Sequence, residues 1–310
     1  MKGDIGSRII YCLGGIVSDT VYCVDEIPAR ATKVFASESF RTVGGIAGNA
    51  ARSIRKLGAQ ARLLGVVGDD EDGRWMLDAL VKEGVGINGV KRARGTSTRA
   101  AIALARDGER TILAFSGVGL TLSANEVRGV DFGAGDAVLA DWRWPEAADC
   151  VLREFREAGK PAVLDADVGA STVSGRLVEA ASHVIFSREG LEQFTREVDV
   201  DVGPALKWAA RCTAAVVGVT DGANGCYLLD RSTSEIIRIP APRVAAVDTV
   251  GAGDVFHGAF TLALAAGASD RTASRYAAYA AASKVRGLGL SSLQSHREVV
   301  DQMRRDSACV

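Results

Sequence analysis

Asp248-Thr249-Val250-Gly251-Ala252-Gly253-Asp254-Val255-Phe256-His257-Gly258-Ala259-Phe260 joins two glycines, a carboxylate and the start of an apolar helical pattern. Gly251 and Gly253 allow a tight turn and a close approach to a ligand, so successive N–H groups can converge on one anion. The helix predicted to start here adds the positive end of its dipole. Asp254 falls on its first turn, where the same amides are expected to keep it ionised and able to take a proton from a hydroxyl held opposite the anion. An anion cradle beside a base is the equipment of phosphoryl transfer. Taken alone, GAGD is equally a strand-to-helix turn with Asp254 as its cap.

Some two hundred residues upstream, Gly44-Gly45-Ile46-Ala47-Gly48-Asn49-Ala50-Ala51 offers a second glycine pair, followed by an asparagine that can both donate and accept hydrogen bonds to a polyol. Ala50, Ile54 and Leu57 continue it as a helical stripe that ends at Gly58. The two segments, in this order, resemble the two signatures of the ribokinase-like (PfkB) carbohydrate kinases. The family's fold is a three-layer α/β sandwich with a mainly parallel central sheet and a small β lid, and that is the fold expected here.

The rest of the chain is compatible. Its 310 residues carry 37 Lys+Arg against 38 Asp+Glu, a net charge of −1 with no long basic run, so nucleic acid is an unsuitable partner. Cys12, Cys23, Cys150, Cys212, Cys226 and Cys309 form no CxxC pair and have no histidine at metal spacing, and are expected to be reduced, mostly buried thiols. No apolar run is long enough for a bilayer, and Met1-Lys2-Gly3-Asp4 does not open a signal peptide, so a cytoplasmic location is expected. Walker-type, HExxH and GxSxG motifs are missing, which leaves GAGD as the phosphate cradle.

Apolar runs at 9–13, 63–67, 137–140, 162–164, 184–186 and 215–219 read as buried strands. Helical patterns at 47–57, 74–83, 146–158, 203–212, 255–266 and 271–285 alternate with them, as in a parallel sheet covered on both faces. Two pieces, 20–42 and 97–115, break the rhythm, the latter with Asp107-Gly108 as a hairpin turn. They are expected to pair as the lid, with 1–19, 43–96 and 116–310 forming the core. In the family the lid closes over the sugar and often serves as a dimer surface, so a homodimer through the lid is expected; an ordinary edge hairpin is the alternative.

The resemblance also implies roles. Asp254 would act as base, with the amides of Gly251, Ala252 and Gly253 on the transferred group. Asp19, at the end of the first strand, together with Gly44, Gly45 and Asn49 would bind the sugar. Mg-ATP would lie against Ser187, Thr220, Gly222 and Gly225, with Ala281, Lys284 and Gly287 on the adenine side. Gly287-Leu288-Gly289-Leu290 reads either as an ion-binding or adenine-side loop or as a helix C-cap. Many family members carry an Asn-x-x-Glu motif that helps place Mg²⁺ and its waters; here the matching positions are Ser187 and Gly190. That leaves Glu189, or the ATP phosphates and water, to hold the ion.

The segment Val138-Leu139-Ala140-Asp141-Trp142-Arg143-Trp144, the Ser187-to-Gly190 departure and the wording of GAGDVFHGA are similar to the sulfofructose kinase branch. In that reading Lys33 and Arg143 would meet a substrate anion. Ala114 stands where that branch would carry a polar Asn. Other ketoses, fructose 6-phosphate, a keto-deoxy sugar acid, a nucleoside and a non-catalytic sugar sensor are the alternatives.

Overall fold

The computed structural model describes residues 5–168, 175–196 and 201–308. In chain order these residues form the strands β1 Ile9–Leu13, β2 Val17–Val24, β3 Glu38–Gly44, β4 Gln60–Gly68, β5 Gly86–Ala93, β6 Arg99–Ala105, β7 Arg110–Phe115, β8 Ala137–Ala140, β9 Ala162–Ala166, β10 His183–Ser187, β11 Val216–Thr220, β12 Cys226–Leu229 and β13 Ile236–Ile239. The helices are α1 Ile46–Leu57, α2 Glu71–Lys82, α3 Ala124–Arg128, α4 Pro145–Glu157, α5 Gly175–Ala180, α6 Arg188–Thr195, α7 Val202–Ala209, α8 Ala252–Ala265, α9 Asp270–Lys284 and α10 His296–Ala308.

The large sheet has the order β13-β12-β11-β10-β9-β8-β1-β4-β5. Its inner strands are runs of Val, Ile, Leu and Ala buried on both faces, the pattern a parallel sheet requires. One apolar layer packs α1, α2, α8, α9 and α10 on one face, and another packs α4, α5, α6 and α7 on the other. This is the three-layer sandwich the sequence predicts. Among the described strands of this sheet only β12 is reversed, pairing antiparallel with β11 and with the edge strand β13. From β1 the chain builds outward to β4 and β5, then returns to β8 and proceeds the other way. The C-terminal ends of β1 and β8 therefore flank the switch point of the sheet, the usual place for a ligand crevice. Asp141 ties the two ends together there by accepting from Gly15 N at 2.8 Å and Arg143 N at 2.7 Å.

The small sheet runs β3-β2-β6-β7. It is larger than the predicted lid pieces, because β2 starts at Val17 and β3 ends at Gly44. Asp19 accordingly belongs to a lid strand: Gly14 and Gly15 end β1 at Leu13, and the chain starts afresh in β2. Two helix boundaries also move. Asp70 caps α2 by accepting from Gly73 N, so that helix begins at Glu71, before the predicted Arg74. The predicted 203–212 helix tightens after Ala209 into a 3₁₀ turn, Ala210–Cys212. Cys12 and Cys226 are buried thiols, Cys23, Cys150 and Cys212 are half-buried, and all five are free; Cys309 lies outside the described residues.

Candidate active site

Helix α8 is apolar all round and buried from Val255 to Leu264, between α1 and α9. It approaches α1 at Gly258, where a Cβ would stand 2.7 Å from Ser53 Oγ, so a side chain there would separate the helices. The close crossing brings the beginnings of α1 and α8 together. Asn49, on the first turn of α1, donates from Nδ2 to Asp254 Oδ2 at 2.8 Å. The two signature segments, 205 residues apart, are thereby joined by one hydrogen bond.

Gly251 is the N-cap of α8 at φ 71°, a left-handed conformation suited to glycine. A Cβ here would also press on Asn49 Nδ2 at 2.9 Å. No side chain caps this helix start, and Gly251, Ala252, Gly253 and Asp254 line one cavity. An uncapped N-terminus is a ready anion site. Ala252 N is partly engaged, donating to Thr249 O at 3.2 Å.

Asp254 departs from the expectation that the helix start keeps it readily ionised. Burial drives its pKa up to about 7, and the Asp167 and Asp141 carboxylates push the same way against the Asn49 hydrogen bond and the Lys284 charge. Desolvation outweighs the amides because it acts on the whole carboxylate. Asp19 is likewise raised to about 7, first by burial and then by Asp254, with Arg52 opposing. Its carboxylate lies so close to Gly44 that a Cβ at 44 would be 1.8 Å from Asp19 Oδ2. Gly44 thus makes room for the aspartate, while Gly45 lines the cavity itself.

The cavity encloses about 1050 Å³. Its roof is the lid sheet, and the alternation of strands decides which side chains face in: Val17 and Asp19 of β2, Ala100 and Ile102 of β6, and Arg110, Ile112 and Ala114 of β7. The lid tip touches the GAGD segment, with Arg110 Nη1 donating to Thr249 Oγ1 at 3.0 Å and Thr249 Oγ1 donating to Gly108 O at 2.7 Å. At the opposite end the wall is formed by Ser187, Thr220, Gly222, Gly225 and a face of α9. That face presents Ala278, Ala281 and Ala282, with Val285 just beyond, at helical spacing. Small side chains there leave a flat apolar slot of the kind a planar base occupies.

Besides Gly44, four predicted site residues lie outside the cavity lining. Lys284 is turned away from the cavity and buried, donating to Asp248 O at 2.8 Å and paired with Asp248 Oδ2 at 3.0 Å. A lone ammonium in that interior needs a carboxylate, and Asp248 provides it. Gly287 follows that lysine and packs near Ser291 and Ser292. Its neighbour Gly289 donates to Asp248 Oδ2 at 2.8 Å, so the 287–290 glycines brace the GAGD loop from behind. Lys33 is exposed on the lid, 5.6 Å from the Phe35 ring. Arg143 donates to Ser116 O and lies 5.3 Å from the Trp144 ring, so its charge is already engaged.

The sequence reading passed over Asp165, Asp167, Arg110 and His257, all of which line the cavity. Asp165 and Asp167 close the predicted strand at 162–164 as an Asp-Ala-Asp triplet, a visible signal of two carboxylates on one side. Burial and the Asp167 charge drive Asp165 well above the usual range. His257, lowered by burial, lies with Nδ1 3.0 Å from Asp165 Oδ2 and 2.8 Å from Gly253 O.

Residues 9–296 match the pfkB family of carbohydrate kinases. The chain is 27% identical over 302 residues to a ribokinase of Bacillus subtilis, a match that covers 96% of this chain and 99% of that one. Among solved structures, an Agrobacterium tumefaciens protein described as a "putative ribokinase" superposes with a TM-score of 0.89 at 32% identity, covering 97% of this chain and 99% of that one. The Arabidopsis thaliana ribokinase complexed with ribose and ATP shares the fold, with a TM-score of 0.80 at 23% identity over 96% of this chain and 99% of that one. This chain belongs to the pfkB family of carbohydrate kinases, phosphotransferases whose acceptor is a hydroxyl group.

Proposed function

We propose that this chain transfers the γ-phosphoryl group of ATP to a hydroxyl of a sugar held between the lid sheet and Asn49. The observation that carries the reading is the 2.8 Å bond from Asn49 to Asp254 at the uncapped start of α8. It sets a polyol-binding amide, a carboxylate and an anion site within one enclosed space. Asp254 takes the hydroxyl proton; the sugar oxygen bonds to the γ-phosphorus as the bond to the β-phosphate oxygen breaks, and ADP leaves. The amides of Gly251 and Gly253 stabilise charge on the phosphoryl oxygens. Asp19, on the inner face of lid strand β2, accepts from further sugar hydroxyls. The adenine lies on the alanine face of α9, and Thr220, Gly222 and Gly225 approach the phosphates and ribose. Mg²⁺, when bound with the nucleotide, neutralises phosphate charge.

For the acceptor, the apolar lid residues Ala100, Ile102, Ile112 and Ala114 suit the carbon face of a compact sugar. Recognition of sulfofructose would draw on Arg110, the lid cation in the cavity, because Lys33 and Arg143 face elsewhere. Assembly through the lid is part of the same reading, supported by the exposed Tyr22, Phe35, Leu113 and Phe115. Light scattering should give the mass of a dimer; a monomer at micromolar concentration removes this element.

The deciding experiment is ADP release from Mg-ATP across sulfofructose, fructose, fructose 6-phosphate, keto-deoxy-gluconate, ribose and adenosine. Turnover with one or more sugars is expected. Preference for sulfofructose that is lost in Arg110→Ala assigns the anion contact. Turnover of adenosine alone replaces the sugar reading by a nucleoside kinase, and sugar-dependent thermal stabilisation with no ADP release replaces it by a sensor.

A further inference from the structure

The family's usual Mg²⁺ device cannot be built at its customary positions here. At Gly190, where other members carry the glutamate, a Cβ would lie 2.0 Å from Ala166 O, so β9 blocks any side chain. Ser187, at the asparagine position, uses its hydroxyl to cap α6, accepting from Gly190 N at 2.9 Å.

On the adjacent strand end, Asp165 and Asp167 stand two residues apart, which in an extended chain turns both to one side, and both line the cavity. Asp165 is 2% exposed. Its Oδ2 meets His257 Nδ1 at 3.0 Å, while its Oδ1 has no hydrogen-bond partner. Equally buried aspartates of the core are satisfied: Asp141 by the Gly15 and Arg143 amides, Asp149 by Arg153 and Arg176, and Asp248 by Lys284 and the Val250 and Gly289 amides. A buried carboxylate with one orphaned oxygen, on a residue that lines the cavity beside a second carboxylate, is in deficit of a proton or a cation.

We propose that Asp165 and Asp167 are this chain's divalent-cation carboxylates, taking up Mg²⁺ together with the nucleotide phosphates; this rests on the kinase reading above. Mg²⁺ takes hard oxygen ligands and retains several waters, so one or two carboxylates plus phosphate suffice. His257, bonded through Nδ1 to Gly253 O at 2.8 Å, packs against Asp165 Oδ2 at 3.0 Å and acts as a positioning residue for it.

The test is Mn²⁺ binding followed by electron paramagnetic resonance, with and without a non-hydrolysable ATP analogue, in the wild type, Asp165→Asn, Asp167→Asn and Glu189→Gln. Mn²⁺ affinity in the ternary complex should fall about tenfold or more in both aspartate variants and be unchanged in Glu189→Gln. Analogue affinity without metal should fall in none of the three variants. Asp167 is half-buried and its variant is expected to fold, so it decides the matter if Asp165→Asn is unstable. Wild-type Mn²⁺ affinity in Asp167→Asn, or a loss confined to Glu189→Gln, overturns the assignment alone. An analogue that fails to bind even the wild type overturns the kinase reading as well.

Discussion

Asn49 and Asp254 stand at the starts of two helices that are packed into the core, whereas the lid strands facing them across the cavity leave β7 exposed along its whole length. The helices are fixed by interlocked apolar contacts. The lid leans on the core through a small apolar contact with Val250 and Leu288 and through ion pairs: Arg41 and Arg99 meet Asp72, and Arg99 reaches Asp70 at 3.1 Å. Dispersion contacts hold atoms to fractions of an ångström, as proton transfer requires. Half-exposed ion pairs contribute little and yield to salt, which suits an element that must admit a substrate and then exclude water. One cavity thus has a rigid floor for chemistry and a loosely moored roof for entry.

The largest break in that contrast should come from the floor. Asp254→Asn retains an oxygen to accept from Asn49 and removes the base, so kcat should fall about 10²- to 10⁴-fold while sugar-dependent thermal stabilisation persists. Turnover near that of the wild type would take Asp254 out of the reaction. Lys284→Met comes next, because it leaves Asp248 charged and alone in the interior; urea unfolding should show a loss of about 3–5 kcal/mol, much of it regained in the double variant with Asp248→Asn. A loss under about 1 kcal/mol would mean that the Val250 and Gly289 amides suffice to hold Asp248.

The pH response sharpens the same comparison. A base raised to about 7 by burial must be ionised to act, so kcat/KM should fall about tenfold per unit as pH drops below about 7. A flat profile down to pH 5 would exclude so large a shift. The sign for stability is opposite. The fold retains the proton that the unfolded chain releases near its ordinary value of 3.8, so Asp254 destabilises increasingly as pH climbs from about 4 to about 7. Asp254→Asn should therefore melt above the wild type at pH 8 and level with it below pH 4. The smallest effect belongs to the roof: Asp72→Asn should cost about 1 kcal/mol or less in stability but raise KM for the sugar and weaken its dependence on salt. A kcat loss as large as that of Asp254→Asn would mean that the lid is part of the floor.

The same division governs what the sequence made legible. Gly251, Gly253, Asp254, Gly44, Gly45 and Asn49 act through local backbone geometry, and local geometry is written in adjacent residues. Their mutual hydrogen bond follows from a helix crossing that Gly258 permits, a tertiary fact. The central strands were visible as apolar runs, but β5 (GINGVKRA) and β13 (IIRI) lie at the edges, where charge and glycine dilute the pattern. Lys284 was misplaced because its partner Asp248 is 36 residues away and charge alone does not say which way a side chain turns. Lys33 and Arg143 lie off the cavity lining for the same reason: a cation near a lid is not thereby a cation in the cavity.

The position of α8 also bears on how the molecule is made. β1 completes its pairing only with β8, some 125 residues later, and α1 keeps its apolar face uncovered until α8 arrives near residue 252. A chain leaving the ribosome must therefore hold part of its first third in waiting, with sticky surface open to its neighbours, until α8 and α9 emerge to cover it. Fragments that stop short of α8 should aggregate rather than form a smaller domain, and demand for chaperones should peak before residue 252 and subside after α9 is added.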